Sequence, residues 1–281
     1  MSRTFSFSLR RACGPRSDFR KRIARRRGGI DRGTRPCDRL RDDRGQAGRL
    51  SRPHAALGGR SLRPCQCFEV QVRLGTRNMD RLIEGFRRFR ATYYREHHDL
   101  FETLVRRGQS PRVMVISCAD SRVDPELIFD TAPGEIFVVR NVANLVPPYA
   151  LSASYHGTSA ALEFAVRSLR VEHVVVVGHA RCGGITALLQ PELNPQGDFI
   201  SAWMTIATLA RERALAAGGS PEAVQRACEH EAVKISLDNL ITFPWIRERV
   251  REGALALHGC YFDLETGDLL HLGTSGRFEP V

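Results

Sequence analysis

The sequence predicts an α/β fold: a central, mainly parallel β-sheet flanked by helices, with an N-terminal helical arm. Three observations predict it. The run His173-Val174-Val175-Val176-Val177 has no polar alternation and ends at Gly178, as expected for a strand buried on both faces. A second run of that kind spans Arg112–Ser117, with Val113-Met114-Val115-Ile116 at its centre. Segments with helical apolar spacing separate the strand-like runs. The order strand, helix, strand, helix, strand is that of right-handed crossovers in a parallel sheet.

Taken in order, residues 1–78 come first and stand apart. They are rich in Arg, Gly, Pro and Ser, and they lack hydrophobic periodicity, which predicts disorder. Three readings apply: an extension ahead of a native start at Met79, an organellar transit peptide, or a solvated basic arm. The Cys65-Gln66-Cys67 pair within this segment is incidental to all three. From Met79 the pattern changes. Leu82, Ile83, Phe86, Phe89, Tyr93 and Tyr94 recur at helical spacing, and Leu100, Phe101, Leu104 and Val105 continue it, as one long helix or two. Gly108-Gln109-Ser110-Pro111 ends this arm, and the Arg112–Ser117 strand follows. A short helix over Glu126–Asp130 leads to a strand over Ile136–Arg140 and a loop over Asn141–Pro148. An amphipathic helix over Thr158–Leu169 precedes the Val171–Val177 strand, and Ile185–Leu189 forms the helix after it. A helix over Asp198–Ala217 stops at Gly218-Gly219. Ser220-Pro221-Glu222 opens the next, with Ser as N-cap and Pro at the first position, running to about Leu240. Ala254–Leu257 and Cys260–Leu264 read as two short edge strands around a glycine turn.

The basic charge is concentrated in one segment. Residues 1–78 hold 21 Lys+Arg against 6 Asp+Glu, and residues 79–281 hold 21 against 25. The whole-chain +11 therefore divides into +15 and −4, so the folded part is mildly acidic and a nucleic-acid partner is not indicated. No apolar run has the length of a membrane span, and no stretch near Met1 has the apolar core of a secretory signal. Eight cysteines at irregular spacing suit a reducing compartment, the cytoplasm, with thiols available to a metal. The transit-peptide reading gives an organellar alternative.

The chemistry gathers at two strand ends. His179 and Cys182 lie three apart on the turn leaving the valine strand, and Cys118 ends the Arg112–Ser117 strand. In parallel sheets both ends fall on the edge where ligands bind. Singly, each residue could be a core thiol or a hydrogen-bonded turn histidine. Together, two thiolates and one imidazole make three zinc ligands with one tetrahedral position open, the pattern of catalytic rather than structural zinc. Cys228 and Cys260 read as buried structural thiols. Asp120 and Arg122 follow Cys118 on one loop. Alternate residues of an extended segment share a side, so Asp120 can face the metal while Arg122 grips it as a forked ion pair. A loop-stabilising salt bridge has the same spacing.

Three blocks, Cys118-Ala119-Asp120-Ser121-Arg122, Arg140-Asn141-Val142-Ala143-Asn144-Leu145-Val146 and Gly178-His179-Ala180-Arg181-Cys182-Gly183-Gly184, resemble the signatures of the β-class carbonic anhydrases. So do Ser236–Leu240, Thr242–Pro244 and Leu257–Gly259. The resemblance covers essentially all of residues 79–281 and none of 1–78. Gly108–Pro111 and Val146–Tyr149 are similar to the plant-like branch. The resemblance implies reversible hydration of carbon dioxide to bicarbonate and a proton by a zinc-bound hydroxide. It implies one zinc per subunit on Cys118, His179 and Cys182, with Asp120 and Arg122 as the orienting dyad. It further implies a substrate pocket of Phe137, Val142 and Phe164, the last commonly tyrosine in the family, with a donor at the Gly183 N–H. Gln109 would come from the partner of a homodimer, which could pair into a tetramer. Val115 stands where the bicarbonate-regulated branch has tryptophan, and Phe262 where it has tyrosine, so that regulation is not expected. His156 and His173 are candidate proton carriers, though a surface role is the favoured reading of each. Two other readings share the ligand set: a hydrolase of a carbon dioxide analogue such as carbon disulfide, and a non-catalytic zinc thiolate redox sensor.

Overall fold

The computed structural model describes residues 77–151, 155–193 and 198–281. Apart from Arg77 and Asn78, the expectations for residues 1–78 fall outside the described residues. The chain divides into two compact units, ending and beginning at Ala91 and Thr92. In the first, helix α1 (Arg77–Ala91) is amphipathic and buries none of its residues. Leu82 is 66% exposed and Phe86 59%.

The second unit opens with two short helices, α2 (Tyr93–Glu96) and α3 (His98–Arg107). Strand β1 (Val113–Cys118), the short helix α4 (Pro125–Ile128) and strand β2 (Ile136–Asn141) follow, then a 3-10 turn over Val142–Asn144. Helix α5 (Gly157–Glu163) widens into a π-helical segment, Phe164–Leu169, ahead of β3 (His173–His179). Helices α6 (Gly183–Leu189), α7 (Ile200–Met204), α8 (Thr208–Ala217), α9 (Pro221–Thr242) and α10 (Pro244–Arg251) come next. Strands β4 (Ala256–Phe262), β5 (Leu269–Leu272) and β6 (Phe278–Pro280) close the chain.

The sheet has the order β2-β1-β3-β4-β5-β6, parallel from β2 to β4 and antiparallel beyond. Alternation along the strands gives each face its own set of side chains. Met114, Ile116, Val174 and Val176 pack with Leu162, Val233, Leu240 and Ile246 in the main core, beneath α5, α9 and α10. Each such fully buried side chain contributes about 1.5–3 kcal/mol. The opposite face carries Val115, Val177 and Cys260, with Val113, Ile136, Val138 and Val175 only partly buried around them.

Helix α9 is set as the sequence predicts. The Ser220 hydroxyl accepts from the Ala223 N–H at 3.3 Å and Pro221 occupies the first turn, a cap worth about 1 kcal/mol. Two glycines seat the helix on the sheet. A Cβ on Gly178 would lie 2.6 Å from Val233 Cγ2, and one on Gly259 would lie 3.1 Å from Val233 Cγ1.

That second contact corrects the reading of the C-terminal strands. Gly259 does not turn the chain. It lies within one strand, β4, in the sheet interior between β3 and β5, because only a hydrogen fits beneath Val233 and Leu237. The helix read over Asp198–Ala217 is also divided, into α7, a 3-10 turn over Thr205–Ala207, and α8. The Thr205 and Thr208 hydroxyls donate back to the carbonyls of Ala202 and Thr205 at 2.7 and 2.8 Å, a pattern that bends helices.

The strand order places the site. From β1 the chain moves to β2 on one side; from β3 it moves to β4 on the other. The crevice between the C-terminal ends of β1 and β3 is thus a topological switch point, where open α/β sheets bind ligands.

Candidate active site

Cys118 is the last residue of β1 and His179 the last of β3, so the sheet itself sets their spacing. Cys182 returns to them over a tight turn. Ala180 donates its N–H to the Phe262 carbonyl at 3.0 Å, Arg181 adopts a left-handed conformation (φ 55°), and Cys182 caps α6. The result is three buried donors whose ligand atoms all lie within 4.8 Å of one another. The two sulfurs are 3.9 Å apart and both cysteines are free thiols. Cys228 and Cys260, also free, do not join this group, as the sequence indicates.

The donor set fits a tetrahedral thiophilic cation. His179 Nδ1 lies 2.9 Å from the Ala180 carbonyl, which assigns the ring proton to that nitrogen. Nε2 then presents a lone pair, and it is buried without a hydrogen-bond partner. A buried orphan nitrogen beside two thiols is a cost that a metal removes. The hydrogen bond between the two sulfurs holds the Cys118 thiol below its ordinary pKa and, with burial, pushes that of Cys182 up. Burial opposes a charged imidazole, yet the Cys118 sulfur beside His179 and the Asp120 carboxylate hold its pKa above the ordinary value.

Asp120 is gripped from the loop that carries it. Arg122 donates from Nε to Oδ1 at 2.9 Å and from Nη2 to Oδ2 at 2.7 Å, and its backbone N–H reaches Oδ1 at 3.0 Å. Those bonds, the Arg122 side chain first, hold the carboxyl well below the usual range. Oδ2 stands 3.9 Å from His179 Nε2. The same Arg122 Nη2 donates to the Arg181 carbonyl at 3.0 Å, tying the loop after β1 to the turn after β3.

Sequence reasoning assigned no separate role to Arg140. Its guanidinium donates to the carbonyls of Cys118, Asp120 and Val123 at 3.0, 2.7 and 2.5 Å, fixing the loop from beneath. Beside it, Asn141 clamps the next loop by donating to the Leu145 carbonyl at 2.8 Å and accepting its N–H at 2.9 Å. That clamp encloses two left-handed residues, Ala143 and Asn144. Trp203 Nε1 donates to the Val142 carbonyl at 2.8 Å. A Cβ on Gly184 would lie 2.8 Å from Val142 Cγ1, so this loop and the start of α6 need glycine at their contact.

Of the expected pocket residues, Phe137 and Phe164 face one another with ring centroids 6.0 Å apart. Phe164 and Val142 are 46% and 38% exposed. Gly183 begins α6, with open space where a side chain would stand. Gln109 lies exposed between α3 and β1. His173 sits at the opposite end of β3 from the donors, with Nδ1 3.2 Å from His258 Nε2.

A family model described as carbonic anhydrase matches residues 113–269. A carbonic anhydrase of Synechococcus elongatus is 39% identical over 197 residues, covering 69% of this chain and 71% of that protein. The mitochondrial beta carbonic anhydrase 6 of Arabidopsis thaliana is 42% identical over 191 residues, covering 66% of this chain and 64% of that one. Among solved structures, the β-carbonic anhydrase CcaA superposes with a TM-score of 0.69 at 36% identity, over 73% of this chain and 92% of that chain.

Proposed function

The chain belongs to the β-class carbonic anhydrase family, and from that premise we propose that it hydrates carbon dioxide reversibly at a zinc held by Cys118, His179 and Cys182. The observation that carries this is the convergence of three buried donors beside a carboxylate already locked by Arg122. Zinc so held supplies a water made nucleophilic near neutral pH.

The chain's own residues do the rest. Asp120, kept ionised by its bonds to Arg122, accepts a hydrogen bond from the attacking oxygen and so aims its lone pair at the substrate. Arg122 keeps the carboxylate oriented, and its bond to the Arg181 carbonyl keeps it in register with the donors. Phe137, Val142 and Phe164 offer an apolar wall to an uncharged, linear substrate, and the Gly183 N–H offers a donor to the oxygen that gains charge. Zinc content measured beside carbon dioxide hydration tests the reading.

Gln109 of a second copy completes the pocket in this account, so the working unit is a homodimer that can pair further. The half-buried valine face of the sheet and the exposed apolar side chains of α1 support this, since soluble monomers avoid such patches. The catalytic domain is 79–281, with 1–78 a separate basic extension. No helix among the described residues is long and apolar enough to cross a membrane. The account places the domain in the cytoplasm; the mitochondrial Arabidopsis relative supports the alternative in which 1–78 directs the chain to an organelle.

A further inference from the structure

Helix α9 places a buried carboxylate behind the metal-donor turn that the scheme above does not use. Glu229 is 3% exposed. Its Oε1 accepts the Cys182 backbone N–H at 2.9 Å and Gln225 Nε2 at 2.7 Å, and its Oε2 accepts the Tyr261 hydroxyl at 2.7 Å. Gln225 Nε2 also reaches the Cys182 carbonyl at 3.2 Å, which accepts from the Thr186 hydroxyl at 3.1 Å. Both backbone polar groups of Cys182 are therefore held from α9.

Local structure leaves the Cys182 N–H without a partner, although the first turn of α6 bonds its carbonyl. β3 ends at His179, Arg181 is left-handed, and an N-cap residue's own N–H takes no part in its helix. Glu229 supplies the missing restraint from 47 residues away. Burying a carboxylate costs several kcal/mol unless its oxygens are satisfied. Here three donors satisfy the Glu229 oxygens, and one of them is the Cys182 peptide.

We propose that Glu229 is a positioning residue for the metal centre. By holding the Cys182 peptide it directs Sγ toward Cys118 Sγ and His179 and keeps the three donors assembled. The inference rests on reading Cys118, His179 and Cys182 as the metal ligands.

The test titrates zinc into the metal-free full chain against a chromophoric chelator, and records the thiolate-to-cobalt absorption of the cobalt-loaded protein. Glu229→Ala should weaken zinc by about 10–100-fold, the usual cost of losing an outer partner of a ligand, and alter the cobalt band. Glu229→Gln keeps an oxygen for the Cys182 N–H and an amide that the Tyr261 oxygen can accept, so it should stay within about threefold of native with the native band. Leu240→Ala, a core truncation lower on α9, should lower the melting temperature and leave zinc affinity and the band unchanged. If Glu229→Ala fails to fold, Glu229→Asp carries the test: its shorter reach should weaken zinc at least about fivefold. Native zinc affinity and band in Glu229→Ala, or in Glu229→Asp where the alanine variant does not fold, would overturn the proposal. So would a loss in Leu240→Ala equal to that in the glutamate variants, because general loosening would then explain it. Failure of the ligand assignment shows separately, as native zinc affinity in Cys182→Ser.

Discussion

Arg122 takes both oxygens of Asp120, at 2.9 and 2.7 Å, and leaves the carboxylate 3.9 Å from His179 Nε2. The fork presents Asp120 to the donor triad without making it a member. Asp120→Asn should therefore keep zinc and lower hydration by about 10²–10³-fold, because an orienting acceptor is lost while the ligands are untouched. Elemental analysis beside turnover decides it; loss of zinc in this variant would make Asp120 structural.

The triad has no spare donor. Cys118→Ser, His179→Ala and Cys182→Ser should each abolish both stoichiometric zinc and hydration. A single variant that kept both would show the ligand set to be wrong.

Assembly follows from apolar surface. Leu82 and Phe86 are exposed on α1, and the valine face of the sheet is half-covered. Light scattering should report a dimer or a multiple of it, and conditions that separate the copies should abolish turnover with zinc retained. A monomer with full turnover would remove Gln109 from the pocket.

His230 should make stability pH-dependent. Burial first, with Arg226 and Lys234 beside it, holds its pKa down to about 4, and its ring packs 4.4 Å from those of Tyr261 and Phe278. The unfolded chain takes up a proton below its ordinary value of about 6.5, while the folded chain resists until about 4. Stability is thus fully present above about pH 6.5 and is lost as pH falls toward about 4. Denaturation midpoints across that window should fall for the native chain and fall less for His230→Gln. Parallel slopes would contradict this.

Much of the site was legible because its signals are local. Unbroken valine runs mark β1 and β3, and the strand ends that follow deliver Cys118 and His179 to one edge. Asp120 and Arg122 are two residues apart, so their pairing could be read as an option from spacing. What escaped depends on partners distant in sequence. Arg140 reaches back 22 residues to Cys118, and Glu229 reaches 47 to Cys182, with no periodicity to announce either. Gly259 looked like a turn because its reason for being glycine, the Val233 and Leu237 side chains of α9, lies on another element.

The most direct measurement is stopped-flow hydration of carbon dioxide by the purified full chain, zinc-loaded and zinc-depleted. The account predicts rapid hydration proportional to bound zinc, lost on depletion, recovered on adding zinc back, and absent in Cys182→Ser. A zinc-loaded chain that left the uncatalysed rate unchanged, or a depleted chain that hydrated at the full rate, would contradict it.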